Sequence, residues 1–463
     1  MDQKAYIVVD MGFGDAGKGS IVDYLCQTEK KAGPILVVRF NGGPQAAHNV
    51  VLPDGTHHTF SQFGSGTFAG ADTYLAPLMW VDPIALLTES DHLKEKGIVN
   101  PLGRIHVSRQ CGVITPWHQA MNQLRELCRT YHDGNAHGSC GVGFGEAMAD
   151  FVYFNRMLTV EGLRKDDLGL VLTEIRNQKA TEWESLRIQF DIDKPTDLGQ
   201  EAEKALDMLY DPRFVDGASK LYKEFVNSVD MDTVGPMLKN YSRIIFEGAQ
   251  GILIDQRSGF HPYTTWSNCT SRIARVMLEH EQIPYTTIGV TRTYMVRHGR
   301  GPLPTERHSP LYRSDMVGPH NVPNAWQGES RIGHLDLPML RYAKQVDGRI
   351  DALAVTHVDK LSVETGACNA YLCRRTNDDG SYEFRDVTFP APSVMRTGQP
   401  SGWIRGPKPG EESSWLQRIA DLIGLPIMIT SSGPTWKDKK LFLRPEKSDE
   451  KAHESGVVED ACT

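Results

Sequence analysis

Apolar residues in this chain come in short runs whose period keeps changing. Ala5-Tyr6-Ile7-Val8-Val9 is an unbroken apolar run rich in β-branched residues, the pattern of a strand buried on both faces. A few residues later, Ser20-Ile21-Val22-Asp23-Tyr24-Leu25-Cys26 carries apolar groups at helical spacing. Pro34 to Phe40 predicts a second buried strand, and Ile244-Ile245-Phe246, Tyr285 to Val290, Ala352 to Thr356 and Ile427 to Thr430 predict more. Residues 72 to 90 mix apolar runs with helical patterning, Trp117 to Tyr131 predicts an amphipathic helix, and 195 to 240 predict two surface helices. Strands separated by helices predict an α/β fold, a large mainly parallel central sheet with helices on both faces. With no internal repeat and no low-complexity linker, the expectation is one domain with insertions over 1–445 and a polar tail over 446–463.

The loops between these elements carry the chemistry, as expected beyond the carboxyl ends of strands in an open α/β sheet. The first is Gly12-Phe13-Gly14-Asp15-Ala16-Gly17-Lys18-Gly19, between strand and helix. Its amides and the helix N-terminus can cradle phosphate, its glycines let the backbone approach, and Lys18 adds a point charge. Gly12, Gly17 and Lys18 keep the register of a P-loop, yet Gly19 stands where that pattern has a metal-ligating hydroxyl. Asp15 instead puts a carboxylate inside the loop, within reach of a metal or of a substrate proton. The second loop, Asn41-Gly42-Gly43-Pro44-Gln45-Ala46-Ala47-His48, ends in a histidine that would face the first loop if the first two strands were neighbours. An imidazole opposite a carboxylate suits acid/base work, or stabilises charge on a transferred phosphoryl group.

Composition narrows the partners. The 463 residues carry a net charge of -8, with 40% hydrophobic and 23% charged residues, which speaks for a globular protein and against nucleic-acid or anionic-membrane partners. Eight cysteines without a CxxC pair, and Cys368 and Cys373 without a matching His/Cys cluster, give no zinc pattern. With no signal-peptide pattern at the start and no apolar run long enough to span a bilayer, the expected setting is cytoplasmic.

Six motifs, in order across nearly the whole chain, resemble the adenylosuccinate synthetase family. They are Gly14 to Gly19, the Gly-Gly-x-x-Ala-x-His loop at 42 to 48, Glu247-Gly248-Ala249-Gln250-Gly251, Gly301-Pro302-Leu303-Pro304-Thr305-Glu306, Ile332-Gly333-His334-Leu335-Asp336 and Ser432-Gly433-Pro434. The resemblance implies a GTP- and magnesium-dependent ligase that joins aspartate to C6 of IMP. It implies that Asp15 is the base at purine N1, with His48, Lys18 and Gln250 as catalytic partners. Gly12, Gly14, Gly17, Lys18 and Gly19 would hold the nucleotide phosphates, and Asp15 with the Ala47 carbonyl the magnesium. Gln45, Ser139, Cys140, Gln250 and Thr265 would bind the purine monophosphate, Asp359, His357, Ser432 and Gly433 the guanine, and Arg331, Ser330 and Gly328 the amino acid. A homodimer is implied as well.

Departures from the family pattern keep alternatives open. Gln327-Gly328-Glu329-Ser330-Arg331 retains one arginine where the family is arginine-rich, and Arg292, Arg297 and Arg300 are the compensating candidates. Thr356-His357-Val358-Asp359 has histidine for the lysine of the guanine-reading segment, which admits ATP beside GTP. Phe154, with Arg156 nearby, stands where the family lends an arginine across its dimer. IMP or dIMP leads because Asp15 is retained; dGMP, another amino acid, or a catalytically dead nucleotide-binding regulator are the alternatives.

Overall fold

The computed structural model describes residues 3–134, 138–232, 234–308, 326, 329–377 and 381–442. Gly328 and the tail at 446–463 lie outside them.

Ten strands form the central sheet: β1 (Lys4–Asp10), β2 (Ile35–Arg39), β3 (Asp72–Leu75), β4 (Ile105–Ser108), β5 (Asp230–Asp232), β6 (Arg243–Glu247), β7 (Tyr285–Arg292), β8 (Ala352–Thr356), β9 (Ile427–Ser431) and β10 (Lys439–Leu441). Their order is β10-β9-β8-β7-β1-β6-β2-β3-β4-β5, parallel throughout except for β10. The central strands read as apolar runs because both faces are covered. Ala5, Ile7 and Val9 of β1 enter one core cluster, while Tyr6 and Val8 enter another on the opposite face.

β1 and β2 are not neighbours. β6 lies between them, hydrogen-bonded to both, with Ile7 opposite Phe246 and Phe246 opposite Val38. The proximity expected of His48 and the first loop therefore has another origin. Helix α1 (Lys18–Glu29) packs on the His48–Val51 strand, where a Cβ on Gly19 would lie 2.7 Å from His48 Cβ and 2.9 Å from Ser65 Oγ. The same contact explains why no hydroxyl residue follows Lys18: there is no room for a side chain.

The amphipathic helix foreseen at 117–131 is α2 (Pro116–Asp133), started by Thr115, whose side chain and that of His118 satisfy each other's backbone groups. Residues 72–90 divide into β3, a two-residue strand at Trp80–Val81 and a helix at Pro83–Glu95 capped by Asp82, so the helical patterning belongs only to the last part. The two helices expected in 195–240 are Gln200–Tyr210 and Arg213–Ser228, each with one face in a further core cluster around Trp117 and Trp183. Beside the sheet, Tyr294–His298 pairs antiparallel with Ser330–Asp336, bringing His298 opposite Ser330. Among the described residues no helix is long and apolar enough to cross a membrane.

Candidate active site

The loop after β1 is shaped from beneath by Asp10. Its carboxylate accepts from Gly12 N at 2.8 Å, Ala16 N at 2.9 Å and Lys18 Nζ at 3.0 Å. Lys18, 3% exposed, donates its other bond to the Gln250 carbonyl at 2.7 Å. The Glu247–Gly251 segment lies directly against this loop. A Cβ on Gly251 would fall 2.3 Å from Gly12 O and 2.4 Å from Gly14 N, so only glycine fits, and Leu253 N donates to Gly12 O. Thr356 Oγ1 donates to the Ala16 carbonyl at 2.7 Å, tying the segment after β8 to the same loop.

Above the loop opens a cavity of about 1620 Å³. Of the residues expected at the nucleotides, Gly14, Asp15, Gly17, Lys18, Gly19, Gln45, Ala47, His48, Ser139, Cys140, Gln250, Thr265, His357, Asp359 and Gly433 all line it. Gly12 lies in the loop floor, and Ser432 is exposed with its amide bonded to the Asp438 carbonyl. Lys439, missed in the sequence, holds the turn beside it by donating to the carbonyls of Gly433, Pro434 and Thr435.

Two carboxylate–imidazole pairs meet this cavity, one through His48 alone and the other through both Asp15 and His298. Glu247, at the end of β6 and fully buried, accepts from His48 Nδ1 at 2.5 Å and from Ser65 through both its amide and its hydroxyl. Burial raises its carboxyl, but the His48 charge and hydrogen bond, Arg39 and Ser65 outweigh burial and bring it to about 2. Glu247 is thus ionised and holds the His48 proton on Nδ1, which leaves Nε2 for a ligand. Burial keeps the His48 pKa below its usual value despite Glu247, so the ring is neutral until an anion arrives.

The second pair was not foreseen. His298 Nε2 lies 2.8 Å from Asp15 Oδ2. Desolvation raises the Asp15 carboxyl, but the His298 hydrogen bond and the charges of His298, Arg292 and Lys18 carry it down to about 2. Asp15 adopts φ +58°, a left-handed conformation costly for a residue with a Cβ, and Arg292 Nε grips its carbonyl at 2.6 Å.

Gln45 and Gln250 supply the clearest sign of a missing partner. Among the described residues neither side-chain amide, both buried, has a hydrogen-bond partner for oxygen or nitrogen, a costly state unless a ligand completes it. They pack on the glycine pair of the second loop: a Cβ on Gly42 would meet Gln250 Oε1 at 3.0 Å, and one on Gly43 would meet Gln45 Oε1 at 2.9 Å. Gln250 itself has φ +56°. At the far end Ser139 Oγ accepts from Asn122 at 2.9 Å, and burial, with Asp15 adding to it, pushes the Cys140 thiol up to about 11. His357, at φ +59°, is brought down to about 2 by burial, with Arg292, Lys360 and Lys439 adding to it, and so is a neutral ring beside Asp359.

The expected amino-acid residues sit apart from this group. Arg331 is ion-paired with Glu306 and donates to the carbonyls of Gly299 and Gly301, and neither it nor Ser330 is among the cavity-lining residues. Arg292, Arg297 and Arg300 do line the cavity. Phe154 also lines it, while Arg156 instead contacts Gln178 and the Phe154 ring. Asp10 and His298 had one visible signal each, a polar residue closing an apolar strand directly before a glycine loop.

Comparisons with known proteins identify the family. The family model described as adenylosuccinate synthetase matches residues 7–439. An adenylosuccinate synthetase of Myxococcus xanthus is 29% identical over 96% of this chain and 99% of its own, and one of Thermoplasma acidophilum is 28% identical over 93% and 95%. The fully ligated adenylosuccinate synthetase of Plasmodium falciparum matches in fold with a TM-score of 0.71 at 20% identity, covering 96% of this chain and all of that one. The cyanophage S-2L succinoaminodeoxyadenylate synthetase, bound to dGMP and dATP, matches with a TM-score of 0.53 at 16% identity, covering 95% and 96%. The chain belongs to the adenylosuccinate synthetase family, ligases that form a carbon–nitrogen bond.

Proposed function

We propose that this protein phosphorylates O6 of a purine nucleoside monophosphate, IMP, with GTP and then replaces the phosphate by the amine of L-aspartate, giving adenylosuccinate. The observation that carries the reading is the pair of buried amides without a partner among the described residues, Gln45 and Gln250, in the same cavity as an ionised loop carboxylate, Asp15. A purine edge, with donors and acceptors side by side, is the kind of ligand such amides take up.

In this reading Asp15 accepts the proton of purine N1. The electrons so released let O6 bond to the γ-phosphorus as the bond to the β-phosphate oxygen breaks and the diphosphate leaves. His48, oriented through Nδ1 by Glu247, offers Nε2 to the transferring group. The arriving negative charge favours its protonated form, and Lys18 adds a fixed charge. Phosphate then departs from C6 as the amine attacks. Among the described residues no cluster of three or more His, Cys, Asp or Glu side chains is built to hold a metal. One loop carboxylate and one carbonyl, Asp15 and Ala47, suit magnesium, which takes few protein oxygens and completes its shell with phosphates and water. When bound, it offsets charge on the phosphoryl group.

A second reading within the same chemistry is favoured by Arg331, whose guanidinium is engaged by Glu306: the amine donor is an amino acid other than aspartate, met by Arg292 or Arg300. The O6 step is tested with IMP labelled with ¹⁸O at position 6. Label recovered in the released phosphate supports the proposal; label retained on the purine contradicts it.

A further inference from the structure

Asp15 is held at three places, of which two are backbone. Its φ of +58° and the Arg292–carbonyl bond fix where the residue sits. Neither fixes how its carboxylate is turned, and the side chain is 39% exposed to an open cavity. Among the described residues, the one side chain that the structure places in ion-pair contact with that carboxylate is His298, whose Nε2 lies 2.8 Å from Oδ2.

His298 is itself placed rigidly. It ends the Tyr294–His298 strand, opposite Ser330 in an antiparallel ladder. Arg297 beside it donates to the carbonyls of Arg300, Pro302 and Tyr263, and its guanidinium lies 4.3 Å from the ring centre of Phe13, a residue of the phosphate loop. Strand end and loop are thereby locked together, so the imidazole meets Asp15 at a fixed distance. Its side chain is 15% exposed and lines the cavity.

We propose that His298 is a positioning residue for Asp15: by occupying Oδ2 it turns the carboxylate so that a single oxygen, Oδ1, is offered to the purine. The inference rests on the function proposed above and deepens it, because it bears on which purine is accepted. A free carboxylate can pair with two adjacent donors at once, as N1–H and the 2-amino group of guanine provide. A carboxylate with one oxygen already engaged matches a 6-oxopurine that presents N1–H and nothing at C2. His298 thus acts through Asp15 and need not touch substrate.

The test compares the parent protein with His298→Leu and His298→Gln, varying IMP or GMP at saturating triphosphate and amino acid and then the triphosphate at saturating IMP. Thermal melting serves as the control for folding. Leucine keeps bulk and removes the donor; glutamine returns an N–H at nearly the reach of Nε2. The expected result is a fall in kcat for IMP of about 10- to 100-fold in His298→Leu, with KM for the triphosphate within about 3-fold. His298→Gln should recover most of that loss, and the IMP-to-GMP ratio of kcat/KM should drop in the leucine variant. A merely structural histidine would move melting and both purines together. His298→Leu turnover equal to the parent's, or an unchanged purine ratio, overturns the inference while leaving the ligase reading intact. A parent protein inert with both purines overturns the ligase reading itself.

Discussion

Glu247 has no route to solvent and three groups donating to it, so its charge is committed to holding His48 and Ser65. In the proposed reaction the two carboxylates of the site divide the work: Glu247 orients, and Asp15 reacts. Asp15→Ala should abolish turnover, by at least about 1000-fold, and leave triphosphate binding within a few-fold in a fluorescent-nucleotide titration; near-normal turnover would remove Asp15 from the chemistry. Glu247→Gln should lower kcat by roughly 10- to 100-fold with little change in KM, since it loosens the imidazole and touches no substrate. Its effect on stability depends on pH. A carboxyl near 2 in the folded protein and about 4.3 unfolded stabilises above the unfolded value, by about 3 kcal/mol, and that contribution is lost as pH falls from about 4 through 2. Urea unfolding should therefore show the gap between parent and Glu247→Gln narrowing over that range. A gap constant from pH 6 to 2 would mean that Glu247 is not held ionised.

The elements around the phosphate loop explain both what the sequence revealed and what it hid. The strands of the sheet were legible because burial on both faces writes an unbroken apolar run, and the loop was legible because glycines at 12, 14, 17 and 19 sit between such a run and a helix. The neighbour of β1 was not legible. Parallel strands pair through crossovers of any length, and β6, which separates β1 from β2, is about two hundred residues away in the chain. The Asp15–His298 pair was hidden for the same reason, since it depends on which chain segment folds against the loop. Gly251 gives this scale its prediction. An added methyl would press on the backbone of Gly12 and Gly14, so Gly251→Ala should cost about 1–3 kcal/mol and raise KM for the triphosphate more than it lowers kcat. Unaltered triphosphate kinetics would mean that this segment does not shape the loop. At the other end of the same nucleotide, Asp359→Asn should weaken GTP more than ATP in competition binding, and equal weakening would mean Asp359 does not read guanine.

Across the whole molecule, the carboxyl end of the sheet collects the loops after β1, β2, β6, β8 and β9 into a single cavity, the arrangement expected of parallel strands. Of the six short motifs, those at 14–19, 42–48, 247–251 and 432–434 meet in that cavity; spacing alone would not have joined residue 15 to residue 433. The helix Phe144–Phe154 leaves Phe151, Val152, Tyr153 and Phe154 exposed, and the last two also line the cavity. We expect a second copy of the chain to cover this face. Sedimentation should return twice the chain mass, and Tyr153→Arg should shift it toward the monomer; a monomeric parent would contradict that expectation.

The most direct test of the account is phosphate release in the presence of GTP, magnesium, IMP and L-aspartate, with each left out in turn and the nucleotide products weighed by mass spectrometry. Release should need all four and be accompanied by a new nucleotide heavier than IMP by one aspartate less one water. Release from GTP alone, or no succinylated product when all four are present, would contradict it.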